Sequence, residues 1–497
     1  MSNIRETKTG LIAFGTTITT VITGLMFALI ITRTLTPEEF GTWNVILSLV
    51  SYSLIIEPMI SWWTTRDVAR GEEIGKTAVI TNGVSSIGGS FIFLVIAYLL
   101  TQQSNVEQDI IFLSIILVPL SFLKNTLYAI NYGWKPQAAS YSLLILEIVK
   151  VPLGLYFVYF LQMGIPGVLI AFVIAYTLQI CVLTYFAKIK ISNKFQKKFV
   201  KKWIKNSFLA VYLNVISVTT RLDIIIFVLI IDSVSGVAIF VAAMIVASLT
   251  GNAATVSSST YPKLLAGDRG VYLQRSITRL FYFSIPLAFI SIFFAKSALF
   301  VLNPLYAMAG IVVIFLTIRT FLNGITIVFT GYIYGEEKVD AKMDIKFKDQ
   351  IKSSMFTVST VKLIINGSYL IRLIVGLIVL KQNLVSELDL IIFWSSMALI
   401  TIIPYTIYIY LRVKKSLKIK LETRNILKYF LSGIISFAIP FLISENLLEY
   451  SDNVFEFIFE LSIFILLGIG IYIFITYIID LRTKELIKNI IQELKNK

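Results

Sequence analysis

Residues 188–205 read KIKISNKFQKKFVKKWIK, with eight lysines, no acid, and Phe195, Phe199 and Trp203 recurring every four residues beside Val200 and Ile204. That spacing predicts a lysine-rich helix carrying one apolar stripe, laid on the inner leaflet of a membrane. Its position decides the fold, because six apolar stretches of spanning length precede it and eight follow. With about 20 residues needed to cross the hydrocarbon, spans are expected near 10–32, 42–60, 78–100, 109–131, 140–161 and 165–187. After the linker they are expected near 206–231, 236–260, 277–301, 306–332, 355–380, 388–411, 426–444 and 454–480.

Charge sets the orientation of these spans. Of the 44 lysines and arginines, 35 fall in alternate connections and in the two ends, beginning with Arg5 and Lys8 and finishing with Lys495 and Lys497. The opposite connections hold only Arg33 and Lys381. A missed or extra span would invert this alternation downstream, and it never inverts. Both termini are therefore expected in the cytoplasm, with the chain a multi-pass protein of the cell membrane.

Composition agrees and excludes several classes of function. A hydrophobic content of 57%, a charged content of 15% and a mean hydropathy of +0.83 describe a polytopic helical membrane protein. The net charge of +15 lies in short loops where orientation signals act, so nucleic acid is not an expected partner. The lone Cys181 has no intrachain partner and reads as packing. With no histidine, imidazole bases, ligands and proton relays are all missing, and neither metal nor cofactor is called for.

Seven basic residues lie inside the spans: Lys124, Lys150, Arg221, Lys296, Arg319, Lys362 and Arg372. At about 3 kcal/mol each on insertion scales, seven lipid-facing cations would cost roughly 20 kcal/mol. A typical fold cannot spare that, so most must face protein or water. Of the acids within the spans, Glu57, Glu147 and Asp223 are read as ion-coupling or pairing groups. Glu147 and Lys150 stand three apart on one helix face and can neutralise each other or serve a site. Arg221 and Asp223, two apart, need partners elsewhere. Lys296 and Lys362 are near span ends and are expected to snorkel. Arg221, Arg319, Lys124 and Arg372 lie deeper. Cations outnumber acids, which implies an anionic ligand or a hydrated, anion-attracting interior. Thr16, Thr20 and Thr23, on one face of the first span, fit such an interior or tight helix packing equally.

An internal echo supports two related halves. TPEEFG after the first span and DSVSG after the seventh both place an acid and a glycine just before the next apolar run. Internal repeats of this kind are common in transporters, with the binding site between them.

Several segments resemble a known family: 33–55 (RTLTPEEFGTWNVILSLVSYSLI), 64–70 (TTRDVAR), 237–249 (VAIFVAAMIVASL), 260–268 (TYPKLLAGD), 285–316 and 331–340 (GYIYGEEKVD). They are similar to the polysaccharide-biosynthesis membrane proteins, lipid-linked oligosaccharide flippases of the multidrug, oligosaccharidyl-lipid and polysaccharide (MOP) exporter superfamily. The resemblance covers most of 1–411. It implies an all-α polytopic membrane protein of about 14 transmembrane helices, with two six-helix lobes (1–187 and 206–411) around a central cavity. Residues 188–205 would form a basic amphipathic cytoplasmic linker, and 412–497 the last two helices and a cytoplasmic tail.

The implied activity is alternating access that carries a polyprenyl-phosphate- or pyrophosphate-linked glycan to the outer leaflet, for cell-surface polysaccharide or glycoprotein assembly. The expected partners are this anionic lipid-linked glycan, membrane lipids and glycan-assembly enzymes. Cavity cations of relatives bind the lipid phosphate, a role carried here to Arg221, Arg319, Lys124, Lys150, Arg372 and Arg66. The charged stretch 339–354 (VDAKMDIKFKDQIKSS) departs from the family pattern, and its role is not evident in the sequence. Two other readings stay open. A cation-coupled multidrug or small-molecule antiporter of the same superfamily would need more carboxylates. A polyprenyl-dependent glycosyltransferase or ligase would need an acidic cluster or histidine on a long outer loop.

Overall fold

The computed structural model describes residues 6–103, 108–258, 269–335, 347–417, 423–451, 453–480 and 483–484. Among them there are helices and no strands. The first ten helices are α1 (Glu6–Thr34), α2 (Pro37–Ser53), α3 (Pro58–Ala69), α4 (Gly75–Gln103), α5 (Gln108–Leu113), α6 (Leu117–Trp134), α7 (Pro136–Gly154), α8 (Gly164–Ile191), α9 (Lys197–Asn206) and α10 (Phe208–Thr219). There follow α11 (Leu222–Ile231), α12 (Val234–Ser258), α13 (Arg269–Phe293), α14 (Ala295–Leu302), α15 (Gly310–Gly335), α16 (Phe347–Lys352), α17 (Ser354–Gln382), α18 (Glu387–Leu417), α19 (Thr423–Leu447) and α20 (Val454–Ile479).

Thirteen of the resulting rods are long and apolar enough to cross a membrane, and the apolar part of α1, Thr19–Thr34, is a shorter fourteenth. Each expected span has its counterpart. Several differ from simple rods: the second is broken between α2 and α3, the fourth between α5 and α6, the seventh between α10 and α11 and the ninth between α13 and α14, and the fifth ends in a π-helical turn, Leu155–Phe160.

The chain divides into two compact units, Met1–Val241 with Lys338–Leu390, and Ala242–Glu337 with Ile391–Lys497. In the first, α6 lies at the centre, packed on α3, α4, α7 and α8, and α17 packs against α10 and α11. The ring of Phe122 on α6 fits where Gly89 of α4 has no side chain; a Cβ there would lie 2.6 Å from the ring. Small residues let helix backbones approach closely where lipid offers no hydrophobic drive to pack.

In the second unit α13 packs on α15 and α19, and α19 on α20. Gly433 of α19 leaves the same kind of notch for Phe289 of α13, with 2.5 Å from a notional Cβ to the ring. Tyr472 of α20 donates to the carbonyl of Tyr282 at 3.0 Å, which ties the last helix to α13.

The linker differs from its expectation. Phe199 and Trp203 do not lie in lipid; they are buried with Ile60, Trp63, Val68, Ile74, Leu127 and Leu183. Phe199 and Trp203 of the stripe are used against protein because the ends of α3, α4, α6 and α8 offer an aromatic and aliphatic pocket, while Phe195 and Ile204 stay exposed. Cys181, read as packing, is exposed on α8. Of the charged stretch 339–354, residues 339–346 lie outside the described residues; Phe347 of α16 meets the Phe208 ring edge-on at 4.8 Å.

Candidate functional site: two broken helices around Arg221

The second span breaks because Pro58 has no N–H to give the carbonyl of Leu54 and its ring displaces the turn before it. Residues Leu54–Ile56 tighten into a 3-10 turn, whose Glu57 N–H reaches Leu54 O at 3.1 Å. The remaining demand is met from the seventh span: Asn214 Nδ2 donates to Leu54 O at 2.9 Å and to Ile55 O at 3.1 Å.

The seventh span breaks in turn at two adjacent threonines. Thr219 Oγ1 donates to Val215 O at 2.7 Å and Thr220 Oγ1 to Ser217 O at 2.6 Å, hydroxyl bonds of a kind that compete with the helical ladder. Arg221 is the residue at the break, in the position just before α11. Its backbone carbonyl accepts from Tyr52 Oη, and its Nη1 donates to Ser51 Oγ at 2.8 Å. Each break is thus held by polar groups from the other. Arg221 is exposed, at the positive end of α11.

Asp223, in the first turn of α11, is buried and accepts from Tyr369 Oη of α17 at 2.8 Å. Position 223 thereby joins α11 to α17. Glu57, 5% exposed, accepts from Ser61 Oγ at 3.0 Å and Asn82 Nδ2 at 3.1 Å. Asn125 of α6 is a further donor and the Lys124 charge lies near, with no lysine or arginine in ion-pair contact among the described residues.

Glu147 and Lys150 do pair, at 2.7 Å, and Thr23 donates to the same carboxylate oxygen at 2.9 Å. One of the three threonines of α1 therefore ties that helix to α7. Lys124 holds its ammonium 4.1 Å from the centre of the Tyr176 ring, a cation–π contact. Arg66 lies over Trp62 at 4.0 Å and donates to its carbonyl at 3.2 Å. Arg372 is exposed, its Nε on the Ser368 carbonyl at 3.1 Å. Arg319, in the second unit, is half-buried on α15. Lys296 is exposed over Tyr450 at 5.1 Å, and Lys362 is half-buried on α17.

Ion pairing does not consume the embedded positive charge. Among the described residues, Arg221, Arg319 and Lys124 have no carboxylate in ion-pair contact. Arg221 on a hydroxyl and Lys124 over a ring can each hold and release an anion, since guanidinium offers a fork of donors and ammonium a point charge.

Sequence reading passed over Asp67. It is 1% exposed and takes Lys202 Nζ at 2.9 Å, Trp203 Nε1 at 2.9 Å and Arg70 Nη1 at 3.4 Å. The available signal was an acid between Arg66 and Arg70 facing a linker with none of its own.

No family model matches the chain, and no curated protein does. Solved structures do. A lipid II flippase, MurJ, in an inward closed conformation superposes with a TM-score of 0.68 at 16% identity, covering 96% of this chain and 100% of that one. The two chains share one fold. An inward-facing multidrug resistance MATE family transporter of the MOP superfamily gives 0.57 at 12% identity, over 82% of this chain and 99% of its own. The MATE multidrug transporter DinF-BH gives 0.55 at 15% identity, over 86% of this chain and 96% of its own. This chain is thus a multi-pass helical membrane protein whose helices are arranged as in these three structures.

Proposed function

We propose that the protein is a flippase that moves a polyprenyl-phosphate- or pyrophosphate-linked glycan from the cytoplasmic to the outer leaflet of the plasma membrane. The lobes 1–187 and 206–411 alternate access, with both termini cytoplasmic. The headgroup enters from the inner leaflet, its phosphate meets Arg221 and Lys124 with Arg319, Lys150, Arg372 and Arg66 as further cations, and the polyprenyl tail stays in lipid. No covalent step is required. Carrying an anion outward across an inside-negative membrane is favoured by about 2.3 kcal/mol per charge per 100 mV.

The observation that carries this reading is Arg221, set at a helix break and bonded to Ser51 instead of a carboxylate. The flippase likeness supports it further. At 96% of the chain it must take in most of 412–497, whereas the MATE likenesses cover 82% and 86%. A cation-coupled antiporter is the second reading, favoured by Glu57, a buried carboxylate held by neutral donors and outside ion-pair contact. The embedded cations outnumber the acids and weigh against it.

Complementation of a glycan-export defect separates the two. Wild type restores export; Arg221→Ala and Arg319→Ala trap the lipid-linked intermediate on the inner leaflet. Normal export with both substitutions overturns the site assignment, and drug resistance without glycan export favours the antiporter.

A further inference from the structure

The burial of Phe199 and Trp203 turns the other side of α9 outward. Lys194, Lys197, Lys198, Lys201 and Lys205 are all exposed. Phe195 and Ile204 stand among them, 46% and 55% exposed. Lys197, Lys201 and Lys205 form one ridge at four-residue spacing, a like-charge arrangement that opposes helix formation. No acid in 188–205 relieves it.

The helix is nevertheless held from beneath. Asp67 binds Lys202 and the Trp203 indole, Gln196 N donates to Thr77 Oγ1 at 2.9 Å, and Gln196 Nε2 donates to Glu73 O at 2.8 Å. These contacts fix α9 across the ends of α3 and α4, on the side where the sequence concentrates its lysines. A self-repelling cationic ridge, kept rigid by groups on its opposite side and flanked by exposed apolar side chains, complements a polyanionic, partly apolar surface. Lysines without arginine suit diffuse charge better than one oriented phosphate.

We infer that the outer face of α9 is a preformed docking surface for anionic phospholipid headgroups of the inner leaflet, separate from the transported lipid. The inference rests on the membrane fold and not on the proposed substrate, so its test involves no transport.

The purified full-length protein in neutral detergent is melted while phosphatidylglycerol or phosphatidylcholine is titrated in. Wild type is expected to gain a saturable rise in melting temperature with phosphatidylglycerol, absent with phosphatidylcholine and weakened by high salt. The variant K197Q/K201Q/K205Q, which leaves Lys202 on Asp67, is expected to melt as wild type without added lipid and to lose more than half of the phosphatidylglycerol-specific rise. K414Q/K415Q, neutralising two exposed lysines at the end of α18, is expected to keep it. An equal rise in wild type and the triple variant overturns the inference. So does a wild type that does not distinguish the two lipids, which would leave the ridge to an acidic protein partner.

Discussion

At the scale of single residues, Asp67 and Arg221 make opposite use of charge. Asp67 is enclosed, and its bonds to Lys202 and Trp203 join chain segments 135 and 136 residues apart. Asp67→Ala leaves the buried indole N–H of Trp203 without an acceptor. The expected loss is about 1–3 kcal/mol of stability, seen as a lower melting temperature in detergent, with Asp67→Asn milder because its amide oxygen still accepts. Arg221 is exposed and keeps donors free for a ligand. Its replacement by alanine removes a charge-assisted contact worth about 1.5–3 kcal/mol, or roughly 10- to 100-fold in apparent affinity for the lipid-linked glycan. Arg221→Lys is expected to recover part of this, as a point charge without the guanidinium fork. For Glu147 and Lys150, Lys150→Met leaves a buried carboxylate. The double variant Glu147→Gln/Lys150→Met is expected to melt above that single variant, since a buried pair is costlier to break than to replace.

At the scale of elements, the echo between TPEEFG and DSVSG proves to be a shared way of starting a helix. Thr36 and Glu39 cap α2 reciprocally, hydroxyl to N–H and carboxylate to N–H. Ser233 accepts the Gly236 N–H in the same manner, at 3.0 Å, but its carboxylate arrives from Glu387 at the start of α18, which Ser233 and Ser235 both meet. The local hydroxyl was legible in the sequence. The acid 154 residues away was not, because no periodicity links it to the turn it completes. Beside this turn, a Cβ on Gly41 of α2 would lie 1.9 Å from the Val234 carbonyl oxygen, closer than any atom can stand. Gly41→Val is therefore expected to part the two helix starts on the expected outer side. A cysteine at Val234, with Cys181 replaced by serine, should then react faster with an external impermeant maleimide. Unchanged labelling would mean that these helix starts separate without help.

At the scale of the whole molecule, bilayer thickness and loop charge made the spans readable, since both act on composition alone. The helix breaks were half readable. Pro58 announces one, but the partnership of Asn214 with the carbonyls of Leu54 and Ile55 depends on two spans being neighbours. The linker misled in one respect: its amphipathic pattern is the same whether the apolar stripe meets lipid or protein, and here the ends of neighbouring helices claim it. The embedded cations were found by counting, while their partners, a serine for Arg221 and a tyrosine ring for Lys124, belong to no motif. The central claim is that Arg221 meets the phosphate of a transported lipid. It is tested most directly in proteoliposomes holding a polyprenyl-pyrophosphate-linked glycan, by following its arrival at the opposite leaflet with wild type and with Arg221→Ala of equal melting temperature. The account predicts transfer by wild type and at least a roughly tenfold slower transfer by the variant; equal rates would contradict it.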